Sequence, residues 1–119
     1  PPRSTLFPYT TLFRSRNVRF IEQLLRYDAL VITGQAKSHC VAWTIDDLLR
    51  EVQAKDPALA GKIYLLEDCT TSIVVKDPAG NVIYDYGPDA DKAFDRFRAA
   101  GMHLVQSTDP INTWPGITL

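Results

Sequence analysis

Residues 30–52 read LVITGQAKSHCVAWTIDDLLREV, and this stretch decides the fold. It begins with a short apolar run, Leu30 to Thr33, whose β-branched residues are typical of a strand buried on both faces, as in a parallel sheet. The run ends at Gly34, and a turn that contains Cys40 follows. Beyond the turn, apolar residues recur at helical spacing, at Val41, Ile45, Leu48, Leu49 and Val52. The stretch therefore predicts a strand, a turn and a long amphipathic helix.

The rest of the chain continues this alternation of helix and strand. We predict further helices over Asn17–Tyr27 and from Pro88 to Gly101, strands over Lys62–Leu66 and His103–Gln106, and a β-hairpin from Ile73 to Tyr86. Alternation of this kind predicts an α/β fold with a mainly parallel sheet and helices on both faces. Because such sheets have about five or six strands, we expect this chain to be part of a larger domain.

The composition is typical of one soluble domain of ordinary size. The chain has 119 residues, 45% of them hydrophobic and 23% charged, with a formal net charge of −1. This balance argues against proteins that bind nucleic acids or membrane surfaces, and no apolar run approaches the roughly 18 residues of a membrane-spanning helix. The two cysteines are too few for a disulfide scaffold, so we expect a cytoplasmic location.

Residues 1–15 do not belong to this pattern. Thr5 to Ser15 reads TLFPYTTLFRS, in which the triplet TLF occurs twice. This stretch matches the conceptual translation of a common short-read sequencing adapter residue for residue. A signal peptide is the alternative, but Pro8 interrupts the apolar run. We therefore treat residues 1–15 as a non-native segment, exclude them from the fold, and take residues 16–119 as the authentic part of the chain.

Cys40 is the residue with the most distinctive chemistry. It follows the turn beyond a predicted strand, and ligands in open α/β sheets bind beyond the carboxyl ends of the strands. Backbone N–H groups at the start of a helix favour a thiolate, and they can also stabilise an oxyanion when that thiolate attacks a carbonyl. The alternative is a small buried cysteine that packs the strand–helix junction, which is the more frequent role of a free cysteine.

The segment Val31–Ala36, followed by Ser38-His39-Cys40-Val41 and a long helix, resembles the nucleophile segment of the isochorismatase-like cysteine hydrolases, which include nicotinamidases. Leu65–Thr70 (LLEDCT) resembles the next strand end of that family, and Phe94–Ser107 resembles its last helix and strand. The resemblance covers nearly all of residues 17–108. It implies a three-layer, Rossmann-like α/β domain with a mainly parallel sheet, of which residues 16–119 form the C-terminal part.

The resemblance also implies a reaction, the hydrolysis of a small amide. Cys40 would be the nucleophile that forms a thioester and releases ammonia or an amine. The backbone N–H groups of Ala36 and Cys40 would form the oxyanion hole. The family presents the first of these groups through a non-proline cis peptide bond, which would lie here between Gln35 and Ala36 and which costs roughly 3–4 kcal/mol.

The family completes its catalytic triad with an aspartate and a lysine that lie upstream of the cysteine strand. This chain offers Asp28 and Lys37 before Cys40, and neither matches a family position. We therefore expect a truncated hydrolase that is inactive as this chain. We expect no cofactor or metal on these residues, although the resemblance allows a divalent metal bound by residues further upstream.

Two other functions remain open at this point. The parent protein could hydrolyse a vinyl ether of the isochorismate type, which some relatives do without a cysteine, or it could be a catalytically silent α/β binding or interaction module. The expected partner is a small-molecule amide, with no nucleic acid and no membrane, and a homo-oligomer is compatible with the family.

Four further residues have weaker assignments. His39 adjoins Cys40 and is interpreted as a loop histidine, and His103 is interpreted as structural. Trp43 packs in the core or forms a wall of the pocket. Cys69 follows the neighbouring strand and could approach Cys40, but a reducing compartment argues against a disulfide between them.

Overall fold

The computed structural model describes residues 18–118. Within that range the helices are α1 (Val18–Leu24), α2 (Ala42–Lys55) and α3 (Gly87–Ala99). The strands are β1 (Leu30–Ile32), β2 (Ile63–Leu66), β3 (Val74–Lys76), β4 (Val82–Asp85) and β5 (His103–Val105). The predicted non-native segment, residues 1–15, lies outside the described residues.

A parallel sheet with the strand order β1-β2-β5 forms the centre of the fold. Val31 pairs with Tyr64 and Leu65 pairs with Leu104, which fixes the register of the three strands. In chain order, α2 connects β1 to β2, and α3 precedes β5. The α/β class and the parallel sheet predicted from the sequence are therefore confirmed.

All three described helices pack on one face of this sheet. The helices and the strands bury their side chains in one core on this face. The core includes Ile21, Leu25, Ile45, Leu48, Leu49, Val52, Phe94 and Phe97 from the helical part of the chain, and the alternate residues Ile63 and Leu65 from β2. The prediction of helices on both faces is wrong for the described residues. The reason lies in the strand order, because both crossovers step in the same direction across the sheet, and right-handed crossovers in one direction place their helices on the same face.

The C-terminal tail covers the part of the opposite face that β2 and β5 form. Trp114 is buried and stacks on Tyr64 with the ring centroids 5.7 Å apart, and the Tyr64 hydroxyl donates to the carbonyl of Pro115. Val31, on β1, is 44% exposed. The prediction that β1 is buried on both faces is therefore wrong. β1 is an edge strand of the described sheet, and the buried tail residue packs with Tyr64 of β2 and Val105 of β5.

Local sequence explains where the two long helices end. Asp56 is extended, with φ of −155° and ψ of 106°, because the residue before a proline resists the helical conformation. α2 therefore stops at Lys55, as predicted. Beyond α3, Gly101 has a φ of +109°, the left-handed conformation in which glycine commonly terminates a helix.

β3 and β4 form an antiparallel hairpin outside the parallel sheet, as the sequence predicted. Val75 pairs with Tyr84, and the turn is closed by Asp77, whose carboxylate accepts from the backbone N–H of Asn81 at 2.8 Å. All residues of the two strands are exposed, and Ile83 is the most exposed apolar residue of the pair at 65%. The hairpin is thus a surface ribbon rather than a part of the core.

Candidate functional site

The chain between β1 and α2 is wound into a wide helical turn that carries Cys40. Ala36 is extended, and a π-helical turn follows over Lys37–Val41, which is called the cysteine turn below. The carbonyl of Ala36 accepts hydrogen bonds from the backbone N–H groups of both His39 and Val41, each at 3.1 Å. The sequence predicted that Cys40 opens the α-helix. Instead it is the fourth residue of the turn from which α2 continues.

Cys40 is exposed and lines a pocket of about 220 Å³ at the carboxyl end of β1. The other lining residues are Ile32, Thr33, Gly34, Gln35, Val41 and Thr44. A Cβ atom on Gly34 would lie 2.7 Å from Cγ2 of Val41, so the close approach of the turn to the strand end requires a glycine. Apart from the thiol, the described lining side chains are apolar, hydroxyl or amide groups.

The peptide bond between Gln35 and Ala36 is trans, because no cis peptide bond occurs within residues 18–118. The predicted cis bond is therefore wrong. The carbonyl of Gln35 accepts from the N–H of Thr71 at 3.1 Å, and the N–H of Lys37 donates to the carbonyl of Thr71 at 3.0 Å. These bonds make a parallel bridge between Ala36 and Thr71. A trans backbone satisfies the bridge without the roughly 3–4 kcal/mol that a non-proline cis bond costs.

Lys37 is buried at the start of the cysteine turn, with an exposed fraction of 7%. Its Nζ donates to Oε1 of Glu67 at 3.1 Å and to Oδ1 of Asp91 at 2.8 Å, and it lies 4.6 Å from the centroid of the Phe94 ring. Burial acts to lower the pKa of Lys37, but the hydrogen bonds and charges of Asp91 and Glu67 outweigh burial, so the pKa is raised. The side chain is therefore a cation that joins the turn to the end of β2 and to α3.

The residues beyond the carboxyl ends of the three parallel strands are joined by hydrogen bonds. Thr33, after β1, donates from Oγ1 to the carbonyl of Cys69 at 2.8 Å. Asp68, after β2, accepts from the backbone N–H of Ser107 at 2.9 Å and from its hydroxyl. These bonds from Ser107 lower the pKa of Asp68. Because Thr33 also lines the Cys40 pocket, the pocket opens at a connected polar edge of the sheet.

His39 lies in an aromatic cluster beside Cys40. Its ring makes edge-on contacts with Trp43, at a centroid distance of 5.4 Å, and with Tyr86, at 4.6 Å. Ser38 Oγ accepts from the N–H of Ile73 at 3.2 Å and lies 2.8 Å from Nδ1 of His39. His39 thus connects the cysteine turn to the base of the hairpin.

The remaining candidate residues lie away from the Cys40 pocket or have structural contacts. Asp28 precedes β1 and, with Lys62, lines a separate cavity of about 450 Å³ next to the C-terminal tail. His103 stacks on Tyr64 at a centroid distance of 4.8 Å and bonds to the carbonyl of Gly61, which is the structural role predicted for it. Cys69 is exposed and, like Cys40, is a free thiol.

Within residues 18–118, no three His, Cys, Asp or Glu side chains are grouped as a metal site requires. In the same range, no helix has the length and apolar character needed to cross a membrane.

Comparison with known proteins adds no relative, because no family model, no curated protein and no solved structure matches this chain. The arrangement around Cys40 is therefore the basis for the function proposed next.

Proposed function

We propose that this chain is part of an isochorismatase-like cysteine hydrolase that cleaves a small amide through a thioester on Cys40. One observation carries the proposal: an exposed thiol lines a pocket of about 220 Å³ at the carboxyl end of a parallel strand, in the turn that leads into a long helix. Ligands bind at this edge in open α/β sheets. The volume is compatible with a small amide.

The proposed reaction has two steps. The Cys40 thiolate attacks the amide carbonyl carbon, and the tetrahedral intermediate collapses with cleavage of the C–N bond, so that the amine leaves with a proton and an acyl thioester remains. Water then attacks the thioester, the C–S bond breaks, and the carboxylic acid and the free thiol are formed. The backbone N–H groups of Ala36 and Cys40 are the proposed donors to the oxyanion in both steps.

The proton transfers of this reaction need a base, and the pocket walls supply none within the described residues. The lining groups beside Cys40 are apolar, hydroxyl or amide side chains, while the carboxylates of Glu67 and Asp91 are bound to Lys37. A missing general base costs about 10²- to 10⁴-fold in rate. By the resemblance, the base would be an aspartate upstream of the cysteine strand, and we expect slow amide turnover by the chain itself.

The same observation favours the silent α/β binding module as the second candidate. A pocket that holds a thiol without a base can bind a small ligand and still not turn it over. The vinyl-ether reaction receives less support, because it makes no use of an exposed thiol such as Cys40.

Acylation followed by intact-mass spectrometry tests the proposal. A small activated ester needs little proton transfer to its leaving group, so it should acylate Cys40 even in the absence of the base. We expect one acyl adduct on the chain, its loss in Cys40→Ala, and its retention in the matched control Cys69→Ala. An adduct on Cys69 alone, or equal labelling of both cysteines, would contradict the proposal.

Amide turnover separates the hydrolase from the silent module. A panel of small amides, nicotinamide included, is compared between this chain and a version extended by the coding sequence that precedes Arg16 in the intact gene. Turnover by the extended protein that disappears in Cys40→Ala fits the hydrolase, and binding without turnover in both proteins fits the module.

A further inference from the structure

We propose that Lys37, Glu67 and Asp91, together called the Lys37 cluster, act as a positioning group that holds the cysteine turn in the shape in which Cys40 reacts. The inference rests on the proposed role of Cys40 as a nucleophile and adds residues that do not line its pocket. Lys37 would act through the backbone of the turn, and the two carboxylates would act through Lys37.

The geometry of the cluster joins three separate parts of the fold. Lys37 belongs to the cysteine turn, Glu67 directly follows β2, and Asp91 lies in α3. Nζ of Lys37 reaches both carboxylates, at 3.1 Å and 2.8 Å, and also faces the ring of Phe94. A buried ammonium that loses its partners keeps an uncompensated charge, so the turn cannot move away from these carboxylates without a large cost.

The backbone of Lys37 is anchored as firmly as its side chain. Its N–H donates to the carbonyl of Thr71, while the carbonyl of the preceding residue, Ala36, accepts from His39 and Val41 within the turn. Cys40 is three residues from Lys37, inside the same turn. The cluster therefore fixes one end of a short helical segment whose other end continues into α2, and the Cys40 N–H and thiol are held between them.

A charge effect is the alternative explanation, and it makes the opposite prediction. Removing a carboxylate from the cluster leaves the surroundings of Cys40 more positive, which favours the thiolate and speeds its reaction. Loosening the turn slows that reaction. Asp91→Asn separates the two, because it removes a negative charge and one anchor at once. The Asp91 side chain is 68% exposed, so the substitution spares the core.

The experiment measures iodoacetamide alkylation of Cys40 and of Cys69 in the same folded chain near neutral pH, by peptide mass spectrometry. Asp95→Asn is the matched control, since Asp95 lies on the same helix, is 65% exposed and pairs with Arg98. We expect Asp91→Asn to lower the ratio of the Cys40 rate to the Cys69 rate about threefold or more. The reason is that the variant shifts the turn toward conformations in which Lys37 has left the carboxylates and Cys40 reacts more slowly. Asp95→Asn should leave the ratio unchanged, and Asp91→Glu should restore at least half of it.

A second variant and the parent chain complete the test. Glu67→Gln should lower the alkylation rate of Cys40 itself, which guards against a local effect of Asp91→Asn on α3; the rate of Cys40 is compared here instead of the ratio, because Glu67 lies two residues before Cys69 and its charge also acts on that thiol. A higher or unchanged ratio or equal slowing of both cysteines in Asp91→Asn, or a Cys40 that reacts as fast or faster in Glu67→Gln, would overturn the positioning role. The ratio in the unmodified chain reports on the proposed function separately: if Cys40 there reacts no faster than Cys69, the hydrolase proposal fails, whatever the variants do.

Discussion

Replacement of Gly34 by alanine tests how tightly the cysteine turn packs against the end of β1. The new Cβ would lie 2.7 Å from Cγ2 of Val41, about 1 Å inside the ordinary carbon–carbon contact distance of about 3.5–4.0 Å. Val41 is 6% exposed and belongs to the main core. Its β-branched side chain is stiff at χ1, so relief of the contact requires a movement of the turn itself.

The expected cost of Gly34→Ala is that of overpacking, about 1–3 kcal/mol of unfolding free energy. At roughly 4 °C per kcal/mol for a chain of this size, the melting temperature should fall by roughly 4–12 °C. Gly61→Ala is the matched control, because a Cβ there meets nothing within 4 Å and the residue has no positive φ. We expect that variant to be neutral or to stabilise the chain by up to about 1 kcal/mol. Urea denaturation of both variants gives the comparison.

A double-mutant cycle isolates the contact between the two residues. Val41→Ala removes Cγ2 and by itself should cost about 1–2 kcal/mol, since it deletes two buried methyl groups. In that background Gly34→Ala should cost little, which gives a coupling energy of about 1–3 kcal/mol. If the two costs simply add, or if Gly34→Ala matches Gly61→Ala, the close-packing explanation of Gly34 is refuted.

Three further predictions concern the tail, the Lys37 cluster and the N-terminal segment. Trp114→Ala should lower the unfolding free energy by about 3 kcal/mol because it uncovers Tyr64. Ile111→Ala is the control, since Ile111 is 46% exposed, and it should change the unfolding free energy by less than about 0.5 kcal/mol in the same urea titration. Folding raises the pKa of Lys37 above 10.5. The contribution of Lys37 to stability is therefore complete below that pH and is lost as the pH rises through the higher folded pKa. Between roughly pH 8 and pH 11.5, the urea midpoint should fall more steeply in the parent than in Lys37→Met. Deletion of residues 1–15 should leave the melting temperature unchanged or raise it, and a large fall would show that the segment belongs to the fold.

The sequence predicted well those elements that depend on local features, either the spacing of apolar residues or the chemistry of a turn. The apolar spacing from Val41 to Val52 predicts α2 and its buried face, and all the residues that define this spacing are buried. The turn chemistry of Asp77 predicts the hairpin, because an aspartate side chain can close a turn with its own local backbone. In these cases a local physical preference and the three-dimensional structure agree.

The features that escaped prediction depend on contacts between distant parts of the chain. Trp114 lies in a turn-rich tail, and nothing in its local sequence indicates that it packs on Tyr64, fifty positions earlier. Val31 has the composition of a buried strand residue, yet its exposure depends on which strand lies at the edge of the sheet. The helices all lie on one face because of the strand order, and the spacing of apolar residues along the sequence does not show the strand order.

The place of Cys40 beyond β1 could be predicted from the sequence, but the surroundings of Cys40 could not. Cys40 does line a pocket at the carboxyl end of β1, as its place after the strand indicated. The sequence assigns no role to Lys37, because Lys37 matches no family position. A signal was present, since Lys37 and Glu67 follow neighbouring parallel strands and opposite charges at one sheet edge are expected to pair. The expectation of a cis peptide bond came from the resemblance alone; the bond between Gln35 and Ala36 is trans, and the backbone on either side of it bridges to Thr71.

The hairpin of β3 and β4 offers a place to add new sequence to this protein. Its two ends are held together where the N–H of Tyr86 donates to the carbonyl of Ile73 at 3.0 Å, so a peptide grafted at the tip would leave that closure in place. Lengthening a surface loop is cheap, at about 0.6 kcal/mol for each doubling of its length. An epitope or a fluorophore next to the exposed Ala79 would therefore be displayed outside the parallel sheet.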